Sequence, residues 1–216
     1  MLEELIPLFV FAACFIFLIV KFYKKSGTLY LDIIVAAIGC LFLERLYKVI
    51  YIFSFDSLPS GFYLGYLGMF GCFLFLTSSN FGVIDHIMDD GSKGLGKYRI
   101  ISLIAPVIVC GITFLSVSYA QDIMTKIFCV LLAIPIALAS YFSLKQILFP
   151  DQEFLFLKLI KPCNFVALIM AILACFDIYT RMTGSDSYNQ IIEYLMCVAC
   201  LALTYFVERG HQKWEI

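Results

Sequence analysis

The sequence predicts an all-α protein, a polytopic membrane bundle of seven transmembrane helices, and three observations carry that prediction. First, 62% of the 216 residues are hydrophobic and the mean hydropathy is +0.97, against about 45 to 50% apolar content in soluble domains. Second, apolar runs close to the roughly 20 residues needed to cross about 30 Å of hydrocarbon recur seven times. They fall near 5–22, 30–53, 61–81, 100–119, 122–143, 162–181 and 188–207. Third, lysine and arginine concentrate in alternate connections between those runs.

The first run follows Glu3 and Glu4, where a cleavable signal would carry basic residues, so it is expected to remain as a helix. In the third run Gly61, Gly65 and Gly68 fall on one helical face that Cys72 continues. Small residues at this spacing let a neighbouring backbone approach, which suits a central helix or a dimer seam. Pro106 and Pro135 are expected to kink the fourth and fifth spans. Residues 144–161 suit a short helix lying at the inner interface. Pro162 is expected to open the sixth span, where its missing N–H costs little.

Eleven of the fifteen basic residues lie in the first, third and fifth connections and after the seventh run. The excess of positive charge on the cytoplasmic side therefore predicts an outside N-terminus and a cytoplasmic C-terminus. The opposite connections, near 55–60, 116–121 and 183–190, are short and lack Lys and Arg. The expectation is a single domain over 1–216, in which a ligand arriving from outside must enter the bundle itself.

The other four basic residues lie in the apolar runs with four acids: Glu44, Arg45 and Lys48, Asp122 and Lys126, Asp177 and Arg181, and Glu193. Charge in hydrocarbon costs roughly 2.5 to 3.5 kcal/mol per residue, so such groups face a partner, a cavity or a pathway. Glu44 with Lys48, Asp122 with Lys126 and Asp177 with Arg181 each set an acid four residues before a base, within reach on one helix face. Arg45 and Glu193 lie at similar depth and are expected to bridge the second and seventh helices. Three readings stay open: self-satisfied ion pairs at a wet interface, a proton-carrying Glu193 or Glu44, and an outer-half pocket for a small polar or zwitterionic ligand. The pocket reading takes Glu44, Arg45, Lys48, Lys126, Asp177, Arg181 and Glu193 as ligand-binding residues. Tyr47, Tyr51, Tyr179, Tyr188 and Tyr194 lie at the same level and could line it.

Other chemistries find no residues to use. No basic stripe exists to meet nucleic acid. The nine cysteines fall almost entirely in apolar runs, as packing residues rather than a disulfide framework, and Cys197 with Cys200 is an isolated CxxC. Residues 91–97 read GSKGLGK, but Tyr98 stands where a phosphate loop needs Ser or Thr. Asp85, His86, Asp89 and Asp90 could offer a hard-cation site, though polar residues leaving a membrane need no such purpose. His86 and His211 are both expected to be cytoplasmic, which leaves no intramembrane haem or zinc ligands, and no Gly-x-Ser-x-Gly elbow occurs. No enzyme activity, catalytic residue, metal or cofactor is expected.

The seventh span has no lysine for a retinal Schiff base. Residues 80–106, NFGVIDHIMDDGSKGLGKYRIISLIAP, together with the span spacing, resemble the cytoplasmic loop and fourth helix of the seven-helix sensor modules of bacterial histidine kinases and diguanylate cyclases. That resemblance implies a receptor or sensor whose signal passes to a cytoplasmic partner. Those modules feed an output domain, whereas this sequence ends at Ile216, so the expectation is either a separate partner protein or an isolated sensor half. The expected function is thus a multi-pass sensor of the cell membrane, embedded in the bilayer and open to homo-oligomerisation. The alternative is a small-solute or ion transporter using the same polar residues as its pathway.

Overall fold

A computed structural model describes residues 2–22, 29–58, 62–81, 85, 89, 91, 93–150 and 155–214. Among them the fold is all-helical, with no strand and seven helices. These are α1 (Leu2–Phe22), α2 (Leu29–Phe55), α3 (Tyr66–Asn80), α4 (Gly96–Tyr119), α5 (Ile123–Leu148), α6 (Leu155–Thr183) and α7 (Asp186–Trp214). Five of them, all but α2 and α3, are long and apolar enough to cross a membrane. α2 has the length but carries Asp32, Glu44, Arg45 and Lys48. α3 has only 15 residues, about 22 Å at 1.5 Å per residue.

Pairwise packing closes a ring of six helices in the order α1, α2, α3, α5, α6, α7 and back to α1, with α4 outside against α5 and α6. The outer surface of this ring is apolar: Phe53, Phe114, Val20 and Val198 are all highly exposed. Ionisable groups lie inside, with Glu44, Arg45, Lys48, Asp177 and Glu193 all buried. That inverted distribution is compatible with a multi-pass membrane protein, whose outer face meets acyl chains as apolar as itself.

Each helix has a local reason for its limits. α4 consists of Gly96–Ser102 and Ile104–Tyr119, interrupted at Leu103. Pro106 has no N–H for the carbonyl of Ser102, so the ladder breaks one turn before the proline. Asp122 caps α5, accepting from the backbone N–H of Thr125 at 2.8 Å. α6 starts earlier than expected. Residues 155–161 are its first turns rather than a separate interface helix, and Pro162 lies within α6 instead of opening it. Lys161 Nζ donates to the Phe149 carbonyl at 2.9 Å, tying the start of α6 to the end of α5.

The glycines of α3 set its distance from α2. A Cβ on Gly68 would come within 2.5 Å of the Cys40 carbonyl oxygen and 2.7 Å of Glu44 Cβ, and one on Gly71 within 2.9 Å of Cys40 Sγ. The small-residue face is thus an internal seam against the turn of α2 that carries Glu44. Gly61 lies outside the described residues. All nine cysteines are free thiols, and seven of them are buried.

Candidate functional site

At the end of the ring holding the start of α1, charged side chains from α1, α2, α6 and α7 converge with Tyr66 of α3 and with Tyr63 just before it. Glu193 on α7 is the hub. Arg45 Nη1 meets its Oε1 at 2.8 Å, and Lys48 Nζ hydrogen-bonds the same oxygen. Lys48 also reaches Glu4 Oε2 on α1 at 2.7 Å. Glu44 accepts a hydrogen bond from Tyr63 Oη at 3.0 Å and lies 3.8 Å from Arg45 Nη2. Arg181 stacks its guanidinium 4.7 Å from the Tyr63 ring centroid and 5.8 Å from that of Tyr66, a cation–π arrangement. Asn189 links α6 and α7, receiving Thr180 Oγ1 at 3.2 Å and lying 3.5 Å from Glu193 Oε1.

Asp177 differs from its neighbours. Arg45, Glu193, Arg181 and Lys48 act on it electrostatically, yet among the described residues no base comes within 4 Å of its carboxylate, and its Oδ1 has no hydrogen-bond partner. Glu44 Oε2, Arg45 Nε and Nη2, and Tyr66 Oη are also buried and unpaired. Buried polar groups are normally satisfied, so this convergence of unmet donors and acceptors marks a place for water or a ligand.

The bridge expected between Arg45 and Glu193 is present, and the local pairing expected of the acid–base repeats is not. Lys48 turns to Glu193 and Glu4 instead of Glu44. Arg181 turns to tyrosine faces instead of Asp177. Lys126 does not join the cluster: it is half-buried, and among the described residues it makes no ion pair. Its expected partner Asp122 is exposed and occupied in capping α5, which holds its carboxyl below the usual range through the Thr125 hydrogen bond. With both removed and Glu4 added, four carboxylates (Glu4, Glu44, Asp177, Glu193) face three cations (Arg45, Lys48, Arg181). The cluster carries a formal charge of about −1 rather than zero.

Sequence reasoning also missed Glu4, Tyr63 and Tyr66. Glu4 had a readable signal, an acid in the first turn of an apolar helix. Tyr63 and Tyr66 lie in the glycine-rich start of the third run, which draws attention to backbone approach rather than to hydroxyls. Of the tyrosines expected to line the site, Tyr47 stacks on Tyr63 at 6.2 Å. Tyr179 packs against Tyr119 and Tyr188 is exposed.

A second polar zone lies at the other end of the ring. Asn80 Nδ2 donates to Asn164 Oδ1 at 2.8 Å, Asn164 donates to Gln146, and Gln146 Nε2 donates to the Asn80 carbonyl at 3.1 Å, tying α3, α5 and α6 together. Beside it Lys145 Nζ bridges Asp85 and Asp89, each at 2.7 Å. Arg99 forms a two-point contact with Asp89, with Nε to Oδ2 at 2.8 Å. The two acids considered for a hard cation thus meet protein cations; His86 and Asp90 lie outside the described residues. No group of three or more candidate metal ligands occurs among the described residues.

No known protein family, characterised protein or solved structure matches the chain.

Proposed function

We propose that this protein is a receptor or sensor of the cell membrane that binds a small polar ligand in the charged cluster and signals to a cytoplasmic partner. One observation carries the reading: buried ionisable groups from α2, α6 and α7, joined by Glu4 of α1, share one site that still has unpaired donors and acceptors. Burying several charges costs several kcal/mol per ion and is a poor route to stability alone, so a cluster retained in this form has another use. In this reading the N-terminus faces outward and the C-terminus the cytoplasm, following the bias of Lys and Arg. Ligand binding would re-pair Arg45, Glu193 and Lys48, and so shift α2 against α7.

A transporter is the second reading. It is favoured by the polar zone of Asn80, Gln146 and Asn164 at the opposite end of the ring, which could serve as an inner gate. Arg45→Gln in proteoliposomes separates the two. Sensing predicts a lost ligand response in a protein whose parent moves no solute, while transport predicts lost solute flux. A thermal destabilisation with neither loss would leave the cluster a structural ion-pair network and end both readings. Reporter fusions at each terminus test the orientation.

A further inference from the structure

We infer that the ligand is a small monocarboxylate and that it enters by exchange: Glu4 of α1 holds the seat at Lys48 that the ligand's carboxylate takes. This assignment rests on the ligand-binding reading above and names the chemistry that the site selects.

Glu4 differs from the other acids of the cluster in being able to leave. Its side chain is 27% exposed, whereas Glu44, Asp177 and Glu193 are buried. It stands in the first turn of α1, so a carboxylate that turns outward there goes into water and is not stranded. Its hold on Lys48 is also the looser of two. Glu193 Oε1 accepts a hydrogen bond from Lys48 Nζ, while Glu4 Oε2 lies at 2.7 Å without hydrogen-bond alignment, and a misaligned contact is a weaker one. With Glu4 turned outward, Glu44, Asp177 and Glu193 face Arg45, Lys48 and Arg181, three acids against three bases. Lys48 then keeps Glu193 and has N–H donors to spare in a buried place.

The vacated seat selects a monocarboxylate. The chain itself fills it with one carboxylate, so an incoming monoanion restores the same charge at the same nitrogen, in the volume that the Glu4 carboxyl leaves. An ammonium there would face Lys48 at close range. A carboxylate free of α1 also has a contact open to it that Glu4 does not make. Arg45 shares Glu193 Oε1 with Lys48, and its Nε and Nη2 are buried without hydrogen-bond partners, with Glu44 no nearer than 3.8 Å. One edge of the guanidinium is thus open to a second carboxylate oxygen, and such forked, charge-assisted contacts are the strong ones. Exchange supplies an output as well. Glu4 ties the start of α1 to α2, and at the other end Lys21 ties α1 to Glu208 of α7. Loss of the first tie alone lets α1 tilt about the second.

The test uses the full chain in phosphatidylcholine nanodiscs, with empty nanodiscs as the blank. Propionate binding is followed by saturation-transfer NMR at constant ionic strength, with n-propylammonium and alanine as competitors. Propionate should bind saturably but weakly in the parent, because a tethered carboxylate competes at an effective concentration on the order of millimolar. Glu4→Gln should tighten it several-fold, since removing a competing state raises apparent affinity. Lys48→Met should weaken it at least tenfold, the scale of one hydrogen bond to a charged group. Glu4→Gln, at a part-exposed position, decides the matter even where Lys48→Met fails to fold. Propionate displaced by oleate in the bilayer supports a carboxylate that enters from the lipid, and propionate indifferent to oleate supports one that enters from water. Propionate binding that is absent, or that Glu4→Gln leaves unchanged or weakens, overturns the inference. Displacement by n-propylammonium or alanine also overturns it but supports a polar-ligand site, and the Arg45→Gln comparison decides the receptor reading independently.

Discussion

Arg45 on α2 and Glu193 on α7 meet at 2.8 Å, and both are almost wholly buried. Glu193 holds Lys48 through the same oxygen, so one carboxylate pairs with two cations from adjacent turns of one helix. Removing one partner of a buried pair strands the other in low dielectric, which costs about 3 to 5 kcal/mol. Glu193→Gln takes the 2.8 Å partner from Arg45 and one of two acids from Lys48, which keeps Glu4 at 2.7 Å, and should destabilise more than Arg45→Met. The double variant Arg45→Met/Glu193→Gln should lose less than the sum of the singles, because Arg45 is then no longer a stranded charge. Unfolding by denaturing detergent across the cycle measures the coupling. Additive losses would mean that the two side chains do not interact.

Much of the fold was legible, because a helix able to cross a membrane must be long and apolar, and both properties are local. The α2–α7 bridge was legible for the same reason, since depth in a membrane follows from position along a run. Pairing within a helix was not. Spacing of four residues places Glu44 near Lys48 and Asp177 near Arg181, but a buried lysine or arginine chooses the partner with the best geometry among all neighbouring helices. Here those are Glu193 and Glu4 for Lys48, and the Tyr63 and Tyr66 faces for Arg181. Asp122 and Lys126 share the same spacing, yet Asp122 sits at a helix start, where its oxygen serves the free N–H of Thr125. The start of α6 was misjudged because Pro162 reads as a boundary, whereas the helix begins at Leu155, about two turns before it.

Gly68 should prove the most sensitive glycine. The Cβ of alanine would strike backbone and Cβ atoms of α2 at 2.5 to 2.7 Å, so α3 must move away from the turn that carries Glu44. Gly68→Ala is therefore expected to lower the melting temperature and to break the hydrogen bond from Tyr63 to Glu44. Gly111→Ala on α4 meets nothing within 4 Å. It should be neutral or slightly stabilising, by up to about 1 kcal/mol from helix propensity. Equal melting temperatures for the two variants would show that the α2–α3 seam is loose.

The amide triangle makes a separate prediction. Asn164 accepts from Asn80 and donates to Gln146, and both partners are almost fully buried. Asn164→Leu keeps the volume and leaves two amides unmet, at about 1 to 3 kcal/mol for each buried group left unpaired. Replacing Asn80, Gln146 and Asn164 together by apolar residues should recover part of that loss, since no side-chain amide is then stranded and only the Asn80 backbone carbonyl loses its donor. Amide hydrogen exchange near the end of α3 should rise in the single variant and fall back in the triple. Exchange that stays at the parent level in Asn164→Leu would remove the triangle from the account of what closes this end of the ring.

Asp89 provides the pH test, because it lies outside the helices that span. The Arg99 hydrogen bond, aided by Lys145 and the backbone N–H of Gly91, holds its carboxyl well below the usual carboxylate range. Unfolding returns it to an ordinary value of about 3.9. A group depressed in the folded state stabilises fully above its unfolded pKa, and loses that contribution as pH falls toward its folded value. The gap in melting temperature between the parent and Asp89→Asn should thus be constant from about pH 7 to 5 and narrow only below about pH 4. Arg99→Gln, which removes the main cause of the depression, should shift the narrowing to higher pH. A gap that closes between pH 7 and 5 would point to another titrating group, and one independent of pH throughout would mean that the Asp89 carboxyl titrates alike in the folded and unfolded protein.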